Sequence, residues 1–253
     1  MNTNYVFKRV EKKYLIPCFK FNLLIKRIAP YVEMDKYGIN TICNIYYDTS
    51  TYELIRNSIE GPNYKEKLRL RSYGTPSKYD MVFLELKKKY DGTVYKRRIS
   101  LTLEEAENYL EHGIKPLVKS QILGEIDYFI NLYKPEKKVF IAYDRVAFYG
   151  KDDEHLRITF DMNIRSRFHD LDLAKGSNGK NIDNCEGYLM EIKTSNAMPL
   201  WLVNTLSEYE VYPNSFSKYG NIYRQSLVNE LSETKQTQTI TINRRDEKCL
   251  QAS

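Results

Sequence analysis

At 253 residues, 28% charged and 42% hydrophobic, the chain has the balance of a soluble protein that can bury a sizeable core as one domain. Its net charge of +6 suits an anionic partner without choosing among nucleic acid, phosphate compounds and a membrane surface. No stretch approaches the roughly 20 apolar residues that span a bilayer, the first dozen residues are charged rather than an apolar signal core, and neither the four cysteines nor the three histidines have metal-ligand spacing, so a cytoplasmic protein with reduced thiols is expected.

In chain order, Asn4–Ile16 reads as a strand ended by Pro17, and Phe19–Tyr31 as a helix by its apolar spacing. Asn40–Asp48 is strand-like, and Asp48-Thr49-Ser50 caps a helix over Tyr52–Ser58. Two strands follow, Lys65–Ser72 and Met81–Lys88, joined by Gly74-Thr75-Pro76-Ser77. Asp91-Gly92 turns into a further run, Val94–Leu101. Thr102-Leu103-Glu104-Glu105 has the form of a helix start, and a second helix is expected from Pro116 to Leu132. Strands return at Lys137–Tyr149, Leu156–Arg165 and Tyr188–Thr194, with a Gly/Asn-rich loop over Asp170–Glu186. Helices close the domain at Pro199–Tyr209 and Phe216–Leu231. A single domain over 1–231 with a disordered tail at 232–253 is expected. The fold class is α+β: a closed antiparallel barrel of about eight strands forming a tunnel, with helices outside and at the ends.

The strand runs carry charge where strands usually carry a core. Lys67-Leu68-Arg69-Leu70-Arg71, Leu84-Glu85-Leu86-Lys87 and Met190-Glu191-Ile192-Lys193 alternate with period two, so one face is charged and the other apolar. Turning the charges inward on every strand gathers Arg9, Glu11 and Lys13, then Lys67, Arg69, Arg71, Glu85, Lys87, Lys96 and Arg98. The later strands add Tyr143, Arg145, Arg157, Thr159, Asp161, Glu191 and Lys193, and the last helix adds Lys218. Leu68, Leu70, Leu84, Leu86, Ile158, Phe160, Met190 and Ile192 face the outer helices. Buried unpaired charge is costly, so such a lumen must hold a polyanion, counter-ions or much water. Arg forks and Lys point charges match phosphate oxygens, and a few carboxylates among them suit a divalent ion that travels with phosphates. Glu85 serves equally as a structural ion pair or a metal ligand, Asp161 as a residue that orients an arginine, and Ser217 as a cap for the helix carrying Lys218. Tyr46, Tyr47 and Tyr73 are assigned to the core or the barrel ends, and Lys12, Lys88 and Lys89 to solvent.

These residues resemble a known family. Phe7-Lys8-Arg9-Val10-Glu11-Lys12-Lys13-Tyr14 is similar to the E-x-E-x-K strand of the triphosphate tunnel metalloenzymes, with arginine in place of the first glutamate. Lys67–Gly74, Phe83–Lys87, Tyr95–Arg98, Tyr143–Phe148, Leu156–Asp161, Met190–Lys193 and Ser215–Tyr219 come in the order of one branch, the VTC (vacuolar transporter chaperone) domain, whose eukaryotic members polymerise inorganic polyphosphate. The resemblance implies that Lys13, Arg69, Arg71, Lys87, Lys96 and Arg145 bind the reacting phosphates. It implies further phosphate contacts from Tyr143, Ser217 and Lys218, and metal binding by Glu191, with Glu11 the remaining acid of the first strand. Arg98, Arg157 and Lys193 join the same lumen by parity. The implied activity is metal-dependent transfer of the ATP γ-phosphoryl to a growing polyphosphate chain, with Mn²⁺ or Mg²⁺. A triphosphatase or polyphosphatase in the same tunnel and a non-catalytic polyphosphate or nucleotide sensor are the alternatives. Expected partners are ATP and polyphosphate or another triphosphate, with a membrane partner protein left open. Nucleic acid is disfavoured, because single-strand platforms need aromatics alternating with cations on an open face.

Overall fold

The runs that alternate charged and apolar residues become strands of one sheet. The computed structural model describes residues 10–91, 93–182, 187–195 and 197–228. They hold ten strands, β1 (Val10–Pro17), β2 (Val32–Met34), β3 (Asn40–Asp48), β4 (Tyr64–Tyr73), β5 (Met81–Tyr90), β6 (Thr93–Thr102), β7 (Glu136–Gly150), β8 (Arg157–Arg167), β9 (Lys180–Asn181) and β10 (Gly187–Thr194). The helices are α1 (Cys18–Ile28), α2 (Glu53–Glu60), α3 (Leu103–His112), α4 (Gln121–Tyr133) and α5 (Leu200–Glu208), with α6 over 218–228. Arg9 and the expected tail at 232–253 lie outside the described residues. Two short strands, β2 and β9, are additions to the expected set; β9 and a 3₁₀ turn at Leu173–Lys175 occupy the stretch read as a loop.

One antiparallel sheet runs in the order β1-β10-β8-β7-β3-β4-β5-β6, with β2 on β7 and β9 on β8. The expected closed barrel is corrected here: among the described residues β1 and β6 end the order and do not pair. The edge of β1 is covered by a loop instead. Asn214 N–H donates to the Lys13 carbonyl at 2.7 Å, which takes up a backbone acceptor that a closing strand would need. The sheet nevertheless curls into a tunnel-like trough. β1 and β5 stand six places apart in the strand order, roughly 28 Å in a flat sheet, yet Lys87 Nζ lies 3.8 Å from Glu11.

Two apolar layers cover the outside of the trough. Leu68, Leu70, Leu84, Leu86, Ile99 and Leu101 pack under α3 and α4 through Ala106, Tyr109, Ile126 and Phe129. Tyr14, Ile158, Phe160, Met190 and Ile192 pack under α1 and α5 through Leu24, Ile28, Leu202 and Leu206. Each such leucine, fully buried, contributes about 1.5–3 kcal/mol. Helix α3 starts as read: the Thr102 hydroxyl accepts from Glu105 N–H, and the Glu105 carboxylate accepts from Thr102 N–H at 2.9 Å. Helix α4 starts at its Ser120 cap rather than at Pro116.

Helix α6 is the exception to the expected outside-and-ends arrangement. Its Tyr219, Ile222 and Tyr223 pack with Phe216 onto Ile42, Tyr46, Val139, Ile141, Tyr143 and Leu189, which point to the inner face of the sheet. Part of the inner face is therefore an apolar floor under α6. The rest is charged, and Ser217 and Lys218 at the start of α6 stand at the boundary. Asp48 ties α6 to α2: it accepts from Leu54 N–H and Ile55 N–H and from the Tyr219 hydroxyl at 2.9 Å.

Candidate functional site

Register brings the charges of β4, β5 and β6 side by side. Arg69 lies opposite Glu85, and Glu85 opposite Arg98. Glu85 is only 1% exposed. Arg69 Nε donates to its Oε2 and Arg98 Nε to its Oε1, both at 2.7 Å, and Lys96 Nζ lies 2.8 Å from Oε1. Arg71 Nη1 stands 3.9 Å away. Arg71 is itself aimed by two neutral groups: its Nε donates to Asn44 Oδ1 at 2.8 Å and its Nη2 to the Tyr143 hydroxyl at 3.0 Å. Burial alone would raise the Glu85 pKa; Arg69, Arg71 and Lys96 outweigh it and hold the carboxylate far below its ordinary range.

A second knot lies across the trough. Asp161, wholly buried, takes a fork from Arg145, Nε to Oδ1 and Nη2 to Oδ2, the latter at 2.8 Å. Lys218 Nζ donates to the same Oδ2. Burial would raise the Asp161 pKa, but Lys218 and Arg145 bring it below the ordinary value. Both cations also sit over the Tyr143 ring.

The third group is looser. Lys193 pairs with Glu191 and stands 4.0 Å from Glu11 Oε2. Lys13 and Lys87 lie 3.6 and 3.8 Å from Glu11 Oε1, and Lys13 Nζ donates to the Phe216 carbonyl at 3.1 Å. Lys67 Nζ donates to Ser217 Oγ at 3.2 Å. Thr159, opposite Glu191 in register, has a buried hydroxyl, and neighbouring Arg157 a buried Nε, with no partner among the described residues. Buried polar groups of this kind are ordinarily satisfied by a ligand or water.

The eleven described cations that the alternation turns inward thus share one inner face with four carboxylates. A model of the VTC domain matches residues 8–227. The chain belongs to the VTC domain family. Similar solved structures include a candidate adenylate cyclase from Bacillus halodurans, 15% identical, covering 83% of this chain and 95% of that one with a TM-score of 0.50. Another is a candidate adenylyl cyclase from Hippeastrum described as having a dominant triphosphatase activity, 16% identical, covering 86% and 96% with a TM-score of 0.50. Both share the fold, in line with the triphosphate tunnel superfamily. No curated protein sequence matches the chain. Family membership supports triphosphate- or polyphosphate-related chemistry.

In this VTC chain the trough brings together every candidate named from the sequence that is described: Lys13, Arg69, Arg71, Lys87, Lys96, Arg98, Tyr143, Arg145, Arg157, Glu11, Glu191, Lys193, Ser217 and Lys218. Arg157 sits 5.2 Å over the Tyr149 ring. Glu85 is a structural ion-pair hub and Asp161 orients Arg145, as its reading held. One reading needs correction and two details are added. Tyr46 is a core residue as expected, and it lies on the inner face, its hydroxyl accepting from Arg69 Nη1 at 3.1 Å. Asn44 is a further inner residue that alternation did not single out; its place opposite Arg71 in register was the available signal. Lys88 is not solvated but lies 3.7 Å from Glu66 and 3.5 Å from Glu125 beneath α4.

Enzymes of the superfamily generally depend on a divalent metal, and among the described residues no group of three carboxylate, histidine or cysteine side chains could hold one. The residues present fit a metal that arrives with its substrate. The Lys193 ammonium held by Glu191 and Glu11 marks a cation position, and Mg²⁺-type ions are held by one or two carboxylates with phosphates and water completing the shell. Lys193 and Lys13, with Arg145, keep Glu191 ionised far below the range that burial would impose.

Proposed function

We propose that this VTC chain transfers the γ-phosphoryl of ATP to the end of an inorganic polyphosphate chain. The observation that supports this reading is how the carboxylates are used. Glu85 and Asp161 are consumed by arginine and lysine, so among the described residues the trough offers many ligands for phosphate and only Glu191 and Glu11 for a metal. Hydrolysis needs water positioned and activated; transfer between two phosphate anions needs them aligned and their repulsion screened.

In the proposed reaction a terminal oxygen of the acceptor attacks the γ-phosphorus. The bond from that phosphorus to the β–γ bridging oxygen breaks, and ADP leaves with the electron pair. The nucleophile is already an anion, so no general base is required. Arg69, Arg71 and Arg98 present forks to phosphate oxygens, Lys13, Lys87 and Lys96 act as point charges, and Arg145 and Lys218 are held in place by Asp161. Tyr143, Ser217, Arg157 and Lys193 complete the contacts. Mn²⁺ or Mg²⁺ on Glu191 and Glu11 would neutralise charge on the transferring group.

Among the described residues no helix is long and apolar enough to cross a membrane; a cytoplasmic location is part of the proposal. Incubation with ATP and Mn²⁺, with products resolved by gel and phosphorus NMR, tests it. ADP with polymer is the expected result. Free phosphate instead of polymer transfers the assignment to a hydrolase, and triphosphate binding without any ADP release transfers it to a sensor.

A further inference from the structure

The two faces of β4 and β5 treat lysine differently at one end of the strands. On the outer face Glu66 lies opposite Lys88, a matched pair. On the inner face Lys65 lies opposite Lys89 and Lys67 opposite Lys87. Like charges directly opposite on a sheet destabilise it, and here two such pairs are stacked in one block of four lysines. Glu11, at 3.8 Å from Lys87, is the single acid recorded in contact with the block among the described residues. Among the described residues the Lys65 ammonium donates only to the Ser58 carbonyl, at 3.4 Å, and burial together with Lys89 pushes its pKa down. The block does not belong to the Glu85 or Asp161 knots.

The block leads into a cavity. About 400 Å³ lies between β1 and the 213–216 loop, lined by Glu11, Lys12, Lys13 and Lys89 and by that loop. It sits at the seam where the sheet fails to close. Lys13 and Glu11 belong to both the trough and the cavity, so the two are continuous. The volume is within the range of small-ligand sites, and its walls carry three ammonium groups against one carboxylate.

We propose that Lys65, Lys89 and the seam cavity form a second anion-binding segment, which takes the phosphates of a linear polyphosphate beyond those held in the trough. This rests on the polyphosphate reading above and names where the longer chain runs: past Lys67 and Lys87, between Lys65 and Lys89, and out along Lys12. A triphosphate is too short to occupy the trough and the seam together. A long chain bridges both and gains affinity because the second contact is intramolecular.

The test is titration of inorganic triphosphate and of long-chain polyphosphate, at matched ionic strength and without metal, into the unmodified protein, Lys89→Met, and Lys65→Met/Lys89→Met. Methionine keeps the apolar stem and removes the charge. The unmodified protein is expected to bind the long chain more tightly than triphosphate. The double variant should lose about tenfold in affinity for the long chain, the effect of about one charge-assisted contact, with triphosphate affinity within about twofold. Lys89→Met should lose part of this, and its retained triphosphate binding reports an intact fold. Equal losses for both ligands, or no loss for either, overturn the seam segment. An unmodified protein that binds triphosphate but gains nothing from chain length overturns the seam and leaves the trough reading standing; one that binds neither overturns both.

Discussion

The two sides of the trough hold their carboxylates in different ways. On the β4–β5–β6 side Glu85 is gripped by Arg69 and Arg98 forks and by Lys96. On the β1–β10 side the ion pairs of Glu11 and Glu191 among the described residues are all with lysines, at distances up to 4.0 Å for Glu11. A guanidinium fork fixes a carboxylate in one geometry, whereas an ammonium is a compact charge on a flexible stem that another cation can displace. The first side is built as a rigid wall of donors, and the second keeps its acids exchangeable. On the function proposed above, the difference gives architecture to Glu85 and metal traffic to Glu191, though both are almost fully buried and both are strongly acidified.

Exchanging each acid for its amide breaks the comparison most directly. Glu191→Gln should lower metal-dependent ADP release to background while metal-free triphosphate binding stays or tightens, because a carboxylate near phosphate repels it when no metal intervenes. An ADP-release assay beside calorimetry with and without Mn²⁺ reads both. Unchanged turnover would remove the metal role from Glu191.

Glu85→Gln should act on stability first. It leaves Arg69, Arg71, Arg98 and Lys96 around an uncharged group, a loss of about 3–5 kcal/mol for a broken buried pair, and triphosphate should restore part of it by binding the native state. Urea unfolding with and without triphosphate checks this. The same residue sets an acid limit. Its folded pKa lies below the unfolded one, so its contribution is complete above the ordinary glutamate range near about 4.3 and fades as pH falls beneath it. The Glu85→Gln protein should therefore lose less stability between neutral and acid pH than the unmodified chain.

Arg71→Ala should cost less, about 1.5–3 kcal/mol of triphosphate affinity, the range for hydrogen bonds to a charged group. Among the described residues Arg71 has one distant acid, Glu85 at 3.9 Å, and is aimed by Asn44 and Tyr143. Its removal strands no close ion pair but leaves Asn44 Oδ1 and the Tyr143 hydroxyl without this donor, so some stability is lost as well and the distinguishing effect is the fall in triphosphate affinity. A large fall in stability with unchanged affinity would place it with the architecture.

That contrast was partly legible in the residues themselves. Period-two alternation puts Lys67, Arg69, Arg71, Glu85 and Lys87 on one face whatever the strands pair with, and the buried leucines between them leave no other way to orient the sheet. Which acid each cation would find was not legible, because that depends on register and curl. Asn44 and Tyr46 were hidden for a related reason. β3 is buried on both faces over Ile42–Tyr47, so its sequence shows no alternation to read. Lys88 looked solvated because alternation marks only the outer face, not that α4 would bring Glu125 over it. Closure was overread: strand count implies a barrel, but the Asn214–Lys13 backbone bond that occupies the β1 edge comes from a loop with no strand signal.

The smallest expected effect is the sharpest probe of the two sides. Lys96 and Lys67 are both pushed down to about 8, in each case chiefly by burial. Around Lys96, Glu85 favours the ammonium, while Arg98 and Arg69 oppose it. Around Lys67, Tyr46 favours it, while Lys13, Lys87 and Lys65 oppose it. Both are charged at neutral pH and lose the proton as pH passes through about 8, so triphosphate affinity should fall from there upward and binding should take up protons. Stability should move the other way. The unfolded chain holds these protons to higher pH than the folded one, so between about 8 and 10.4 these two lysines make the native state gain stability as pH rises. Replacing Glu85 separates the pair. Glu85→Gln removes the carboxylate that supports the Lys96 ammonium, so the Lys96 transition should shift to lower pH while that of Lys67 stays. Lysine side-chain NMR across this range in the two proteins reads each transition separately. A Lys67 transition that shifts as far as Lys96 would mean that one continuous field spans the trough, and the division into a rigid wall and an exchangeable side would fail.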